Sequence, residues 1–149
     1  MAENPMTDKE YRRIKKFVSL FARVNVWVYR LSGGRLMNTF EGCEICLVKM
    51  KGARSGKERW MPVMHVPYKG GIIMVASLGG APKHPTWYYN LMAHPHVEVI
   101  FKRSRQRLRA RQVYDEEKAA VWPICVEHYP PYADYQKRTD RKIPVFICE

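Results

Sequence analysis

Most of the chain beyond Gly33-Gly34 is divided by glycine and proline turns, His96–Trp122 being the one long stretch with neither. Lys51-Gly52-Ala53-Arg54-Ser55-Gly56-Lys57 ends the run Ile45 to Met50, and Lys69-Gly70-Gly71 separates Arg59–Tyr68 from Ile72–Ser77. Val97 to Lys102 and Gln106 to Val113 make a further hairpin, and Ile143 to Cys148 is a last apolar run. Short runs rich in β-branched and apolar residues, bounded by turn residues, read as strands joined by hairpins. Pro62 and Pro67 put the Arg59–Tyr68 run at an edge or a bulge, because proline cannot donate to a ladder. Helical patterns are inserted between the strands. They run from about Thr86 to Ala93, from Asp115 to His128 with a kink or restart near Pro123, and from Pro131 to about Arg138. The expected fold is α+β: a small, largely antiparallel β-barrel over residues 35–149, preceded by a helix within residues 1–34.

That first helix should run from about Asp8 to Leu31, with Thr7 as N-cap, Glu10 completing a capping box and Gly33-Gly34 as the stop. Phe17, Leu20, Phe21, Val24, Val28 and Leu31 recur on one face, while Arg12, Lys16, Ser19, Arg23 and Arg30 gather on another. Such a helix either docks its apolar stripe on the domain or lies in an anionic membrane interface. Docking is expected for most of it, with Trp27 and Tyr29 available for membrane contact. Arg23 and Arg30 interrupt the only stretch that approaches a bilayer span, and no secretion signal is apparent. The expected location is cytoplasmic, peripheral on the inner face of the cell membrane.

At 149 residues and 46% hydrophobic content, one domain can bury a core without metal or disulfide staples. A net charge of +12 calls for anionic partners: phosphates, membrane surface, nucleic acid or acidic substrate tails. Cys43 and Cys46 have the spacing of half a zinc site, but no second close pair completes it. On a strand the two would point to opposite faces, which opposes chelation, and Cys125 and Cys148 sit in apolar surroundings and read as core, so no metal is expected. His84, His94 and His96 adjoin prolines and read as solvated turn residues.

The chemistry gathers in two segments. In the turn from Gly52 to Gly56, glycines let backbone N–H groups approach an anion, and Arg54, Ser55 and Lys57 complete a phosphate cradle. Ser77-Leu78-Gly79-Gly80 is a second glycine turn, running into the aromatic helix that begins at Thr86 and can cover a planar ring. Together they point to a phosphorylated, ring-bearing cofactor. Arg103, Arg105, Arg107, Arg109 and Arg111 alternate along one predicted strand, so all five guanidiniums share a face if it is continuous. Either an anion compensates them or water screens them.

In these motifs the sequence resembles the deazaflavin-dependent nitroreductase family, actinobacterial proteins that use coenzyme F420. The resemblance covers about residue 15 to the end. It is carried by Lys51–Gly56, Arg59 and Pro62, Ala76–Gly80, and Pro85-x-Trp87-Tyr88-x-Asn90-Leu91. It continues through Tyr129-Pro130-x-Tyr132-x-x-Tyr135-Gln136, Thr139-Asp140-Arg141 and Ile143-Pro144-Val145. It implies a split β-barrel related to FMN-binding folds and hydride transfer from the reduced deazaflavin to a quinone such as menaquinone. Nitroaromatic and other activated acceptors would be reduced as a side activity. Some members are membrane-associated, in keeping with the basic N-terminal helix.

The resemblance also implies roles. Gly52, Arg54, Ser55, Gly56 and Lys57 match the phosphate turn, and Arg59 would hold the phosphate or the polyglutamate tail. Met61, Pro62, Val63, Val75, Ala76, Ser77 and Leu78 would lie along the ring, with Thr86, Trp87, Tyr88, Tyr89 and Asn90 on its other side. Tyr132, with Tyr129 and Tyr135, would orient and polarise the acceptor, and Ser77 would assist beside the ring. Lys49, Lys51 and Leu78 depart from common family residues, and Trp60, Met61 and Met64 make a bulky wall, so acceptor choice is where this chain should differ. Two alternatives stay open: an FMN-binding oxidoreductase of the same barrel type, and a non-catalytic basic barrel that binds nucleic acid. The second wants aromatics interleaved with the arginines, where Ser104, Gln106, Leu108 and Ala110 stand instead.

Overall fold

The computed structural model describes residues 1–149. Helix α1 covers Asp8–Leu31. The Thr7 hydroxyl accepts the Glu10 N–H at 3.2 Å and the Glu10 carboxylate accepts the Thr7 N–H at 2.8 Å, which completes the expected capping box. Eight strands follow: β1 Thr39–Phe40, β2 Cys43–Lys51, β3 Glu58–Met64, β4 Val66–Tyr68, β5 Gly71–Val75, β6 His96–Phe101, β7 Ser104–Val113 and β8 Val145–Cys148. Helices α2 (Thr86–Ala93), α3 (Asp115–His128) and α4 (Pro131–Lys137) are inserted among them. The sheet runs β1-β2-β6-β7-β8-β5-β4 with β3 also on β2, and every pairing is antiparallel. This is a curled, split-barrel sheet of the expected α+β class.

The run Arg59–Tyr68 is two strands rather than one. His65 sits at the break, its N–H donating to Glu44 at 2.9 Å and its ring stacked 3.7 Å from that of Phe101. Pro62 lies on β3 and Pro67 on β4, each strand having one partner, so both prolines occupy edges as predicted. Helix α3 passes Pro123 without restarting.

Period-two alternation divides the core. Ile72, Met74, Phe146 and Cys148 face one way, onto Trp87 and Leu91 of α2. Ile73, Val75, Val145 and Ile147 face the other, onto Val121, Cys125, Tyr129 and Tyr132 of the α3–α4 region. Burial on both faces explains why β5 and β8 read as continuous apolar runs. Cys43 and Cys46 fall in different clusters, as opposite faces of β2 require. Burial pushes the thiols of Cys46, Cys125 and Cys148 up to about 12, which suits inert core residues.

Helix α1 docks by a face other than the expected one. Ala22, Asn25, Val26 and Tyr29 are buried, whereas Phe17, Leu20, Val24, Trp27 and Leu31 are exposed. The buried face carries polar anchors that an apolar stripe lacks. The Asn25 amide donates to the Met37 carbonyl at 2.8 Å, and the Tyr29 hydroxyl accepts the Lys102 N–H at 2.6 Å. Tyr29 is therefore a core residue and not a membrane contact.

Two of the five stripe arginines are answered within the chain. Arg103 lies in the turn before β7 rather than on the strand. Arg105 pairs with Glu98 at 3.1 Å, and Arg111 bridges Glu117 at 2.8 Å and Glu149 at 2.6 Å.

Candidate active site

The loop from Gly52 to Lys57 joins β2 to β3 and is closed by its own backbone. Gly52 N–H donates to Lys57 O at 2.8 Å, and Gly56 N–H donates to Gly52 O at 2.9 Å. A Cβ at Gly52 would meet the Ser55 hydroxyl oxygen at 2.9 Å, so glycine is what lets the turn fold onto its serine. That hydroxyl accepts the Lys57 N–H at 3.1 Å. Arg54, Ser55, Lys57 and Arg59 all stand exposed around the turn. The donor set suits a phosphate: flexible cations, a hydroxyl and a tight glycine backbone.

Asn90 joins this turn to the aromatic helix. Its side-chain oxygen accepts the Ala53 N–H at 2.9 Å, and its amide lies 3.7 Å from the Met50 sulfur. The residue is buried near the end of α2. Eight residues of helix span about 12 Å, so the other end of α2 reaches a second centre.

That second centre is the loop Ser77–Ala81, and Arg141 holds it. The guanidinium donates to the carbonyls of Ala81 at 2.8 Å, Ala76 at 3.1 Å and Ser77 at 2.7 Å. It also lies 3.1 Å from His84 Nδ1. Arginine has no acceptor, so His84 must accept there and carry its proton on Nε2. His84 also packs 4.2 Å from the Tyr88 ring, and so is a half-buried partner of the loop rather than a solvated turn residue. Burial, with Arg141 as the second cause, holds its pKa below the usual histidine range. Gly80, at φ +81°, presses on α4: a Cβ there would meet the Tyr135 carbonyl oxygen at 2.6 Å.

Behind the loop stand three tyrosines. Tyr129 meets Tyr132 edge-on at 4.9 Å, and Tyr132 meets Tyr135 edge-on at 6.3 Å. The Tyr129 hydroxyl lies 3.0 Å from that of Tyr135 and donates to the Glu41 carboxylate at 2.8 Å. Tyr129 and Tyr132 are almost fully buried, and burial is the first cause that raises both phenol pKa values. Helix α1 roofs this wall, with Phe21 against Phe40 at 5.4 Å and Phe40 against Tyr129 at 6.5 Å.

The remaining expected contacts divide by strand and helix geometry. Met61 and Val63 pack toward the α2 side of the sheet, while Pro62 lies opposite Leu47, which belongs to the α1 cluster. Period two therefore keeps the three from lining a single surface. Val75 points into the α3–α4 cluster, and Ala76 is fully buried. Trp87, 6% exposed, packs on Phe146 in the core. Thr86 and Tyr89 are exposed, Tyr88 is half-buried, and Ser77 and Leu78 border the loop. Glu41 and Phe40 had no role in the sequence reading, and Arg141 had none beyond its place in a motif.

Two surface clefts lie apart from the tyrosines. One, of about 550 Å³, is lined by Trp27, Arg30, Trp60, Lys102 and Arg103 among others. The second, of about 520 Å³, runs from Gly56 along Lys49, Glu98, Arg107 and Arg109 on the outer sheet. Neither contains the Ser77 loop; the first mixes aromatic and basic residues, with Trp27, Tyr29 and Trp60 in its wall, and the second is mostly charged.

The family model for F420H(2)-dependent quinone reductase matches residues 21–149. The chain belongs to that family. An F420H(2)-dependent quinone reductase of Mycobacterium tuberculosis strain H37Rv is 33% identical over 129 residues, covering 84% of this chain and 87% of that protein. A solved F420-H2 dependent reductase (FDR-A) is 49% identical with a TM-score of 0.67, over 70% of this chain and 93% of that one. A second solved chain, described as a domain-swapped dimer, is 44% identical with a TM-score of 0.68, over 83% and 98%. As an F420H(2)-dependent quinone reductase the protein is an oxidoreductase, and coenzyme F420 is its cofactor. The phosphate-type donor set of the Gly52–Gly56 turn fits that group.

Proposed function

We propose that the F420 phosphate is held by Gly52, Arg54, Ser55, Gly56 and Lys57, with Arg59 beside them. The observation that carries this reading is the 2.9 Å bond from Ala53 to Asn90, which makes the glycine turn and the aromatic helix parts of one site. The ring end lies by the Ser77–Gly80 loop, near Leu78, Tyr88 and the upper edge of β3, and the acceptor sits against the tyrosines. Bound reduced F420 supplies the hydride. This chain supplies position, exclusion of water and hydrogen bonds to the acceptor. Tyr132, with Tyr129 and Tyr135, orients a quinone, and the phenols stabilise negative charge developing on its oxygen. Nitroaromatics fit the same wall, because a nitro oxygen accepts as a quinone oxygen does.

We further assign residues 35–149 to cofactor binding and residues 1–34 to attachment on an anionic membrane surface. No helix is long and apolar enough to cross a membrane. Yet Phe17, Leu20, Val24, Trp27 and Leu31 form an exposed apolar stripe on α1, flanked by Arg12, Lys16, Arg23 and Arg30. An apolar stripe with a cationic border suits the plane of an anionic headgroup layer.

The test is a fluorescence titration with oxidised F420, with FMN in parallel. Saturable F420 binding that weakens in Arg54→Ala and Ser55→Ala supports the turn, whereas binding indifferent to both removes it from the site. Tyr132→Phe should lower quinone turnover and spare F420 affinity. Co-sedimentation with phosphatidylglycerol vesicles, lost in Trp27→Asp and absent with phosphatidylcholine, tests the helix.

A further inference from the structure

We infer that Glu41, Tyr129 and Tyr135 form a proton wire that carries the second proton of quinone reduction from solvent to the acceptor. The inference rests on the tyrosine pocket proposed above. Glu41 is exposed in the tight turn between β1 and β2, so the wire begins at water. Tyr129, at 2% exposure, is its buried middle, and half-buried Tyr135, whose backbone lies against Gly80, is its other end. The two links are 2.8 Å and 3.0 Å long.

Donor arithmetic gives the wire a direction. A phenol donates one proton and accepts at its oxygen, while an ionised carboxylate only accepts. With Glu41 ionised, the Tyr129 proton is committed to Glu41, and Tyr135 must donate to Tyr129. Tyr135 then offers the pocket a lone pair. A proton arriving on Glu41 reverses the chain: Glu41 donates to Tyr129, Tyr129 to Tyr135, and the Tyr135 O–H turns toward the acceptor.

The balance is simple. Quinone reduction to hydroquinone takes two electrons and two protons. A hydride brings both electrons and one proton, and leaves one oxygen negatively charged. The Tyr135 O–H bond breaks as the new O–H bond forms on that oxygen. Tyr135 is reprotonated by Tyr129, Tyr129 by Glu41, and Glu41 by water. Burial, followed by its two hydrogen bonds, raises the Tyr129 pKa, so no phenolate is stored midway. Tyr132 meets both rings edge-on and is not a member of the chain.

Glu41→Gln keeps the shape and the hydrogen bond but cannot pass a proton. In single turnovers with excess water-soluble naphthoquinone it should slow oxidation of the reduced cofactor by at least ~10-fold, the low side of general acid catalysis. The solvent deuterium isotope effect should rise, F420 affinity should hold, and Glu41→Asp should recover most of the rate. Added formate should restore Glu41→Ala. A readout without cofactor is the ¹³Cζ resonance of labelled tyrosines. Loss of the carboxylate charge in Glu41→Gln should shift Tyr129 and, through the 3.0 Å link, Tyr135, and a shift confined to Tyr129 would count against the wire. An unchanged rate in Glu41→Gln beside a slowed Tyr135→Phe overturns the wire and leaves the pocket standing. Unchanged rates in both variants also overturn the wire, and an unchanged rate in Tyr132→Phe besides would remove the tyrosine pocket itself.

Discussion

The glycine turn at Gly52–Gly56 and the loop at Ser77–Ala81 are both glycine-containing connections at the proposed site, yet they are held in opposite ways. The first is closed by bonds within itself, Gly52 to Lys57 and Gly56 to Gly52, and its cations remain free at the surface. The second makes only short bonds of its own and is fastened from outside, by Arg141 some sixty residues further on and by the back of α4. A self-closed turn can vary its side chains and keep its shape. An externally clamped loop keeps its shape only while the clamp holds. Binding should therefore fail alone at the first, and fold and turnover should fail together at the second.

The sharpest way to break that contrast is Arg141→Ala. The Ala76 and Ala81 carbonyls lose their donor, while that of Ser77 keeps the Gly80 N–H, and each orphaned group costs roughly 1–3 kcal/mol. Loss of about 3 kcal/mol or more is expected, close to 10 °C in Tm for a chain this size, together with most quinone turnover. Urea unfolding beside steady-state kinetics measures it. A variant of wild-type stability would mean that the loop holds itself.

Gly80→Ala comes next. Its φ of +81° and the Tyr135 carbonyl 2.6 Å from the added methyl leave no room without moving α4. A cost of about 1–3 kcal/mol follows from strain of this kind. Because Tyr135 moves with α4, the quinone KM should rise while F420 affinity changes little. Equal loss of both would show that the loop serves the cofactor as much as the acceptor.

These two effects mark where sequence reasoning stopped. The α1 cap, the α2 bounds and the edge prolines of β3 and β4 were legible because each depends on residues a few positions apart. The Gly52–Gly56 turn itself, as a turn between two strands, was legible for the same reason. The Arg141 clamp, the Ala53–Asn90 bond and the Glu41–Tyr129 bond join residues 60 or more, 37 and 88 positions apart, and no local pattern encodes such a meeting. One face was also misread. The strongest apolar stripe of α1 looked like its docked face. Docking followed the hydrogen bonds of Asn25 and Tyr29, which a hydrophobicity pattern does not weigh.

Asn90→Ala sits between the two regions and should behave in an intermediate way. It removes the side-chain acceptor of the Ala53 N–H, at about 1 kcal/mol of stability, and loosens the turn that Arg54 and Ser55 decorate. F420 affinity should fall together with Tm. In Arg54→Ala and Ser55→Ala affinity should fall about tenfold, the size of one charge-assisted hydrogen bond, with stability within about 0.5 kcal/mol of wild type. Parallel binding titrations and melts on the three variants separate shape from contact. Asn90→Ala with lowered Tm and full affinity would show that the turn needs no tie to α2.

The smallest expected effect is acidification of the clamp. His84 accepts from Arg141 and is held below the usual histidine pKa by burial and then by that guanidinium. The unfolded chain, with a histidine pKa near 6.5, then binds more protons than the folded one between the two values. Stability consequently rises with pH across that window and falls as pH drops through it. Protonated His84 cannot accept at Nδ1 and sets one cation against another. His65 is also lowered, by burial against Phe101, and contributes with the same sign. Melts of wild type, His84→Gln and His65→Gln between pH 7 and pH 5 apportion the two. Hydrogen exchange should place the His84 share in residues 76–81, where Arg141 grips the loop. Exchange there that does not respond to acid would leave Arg141 holding its three carbonyls with no help from His84.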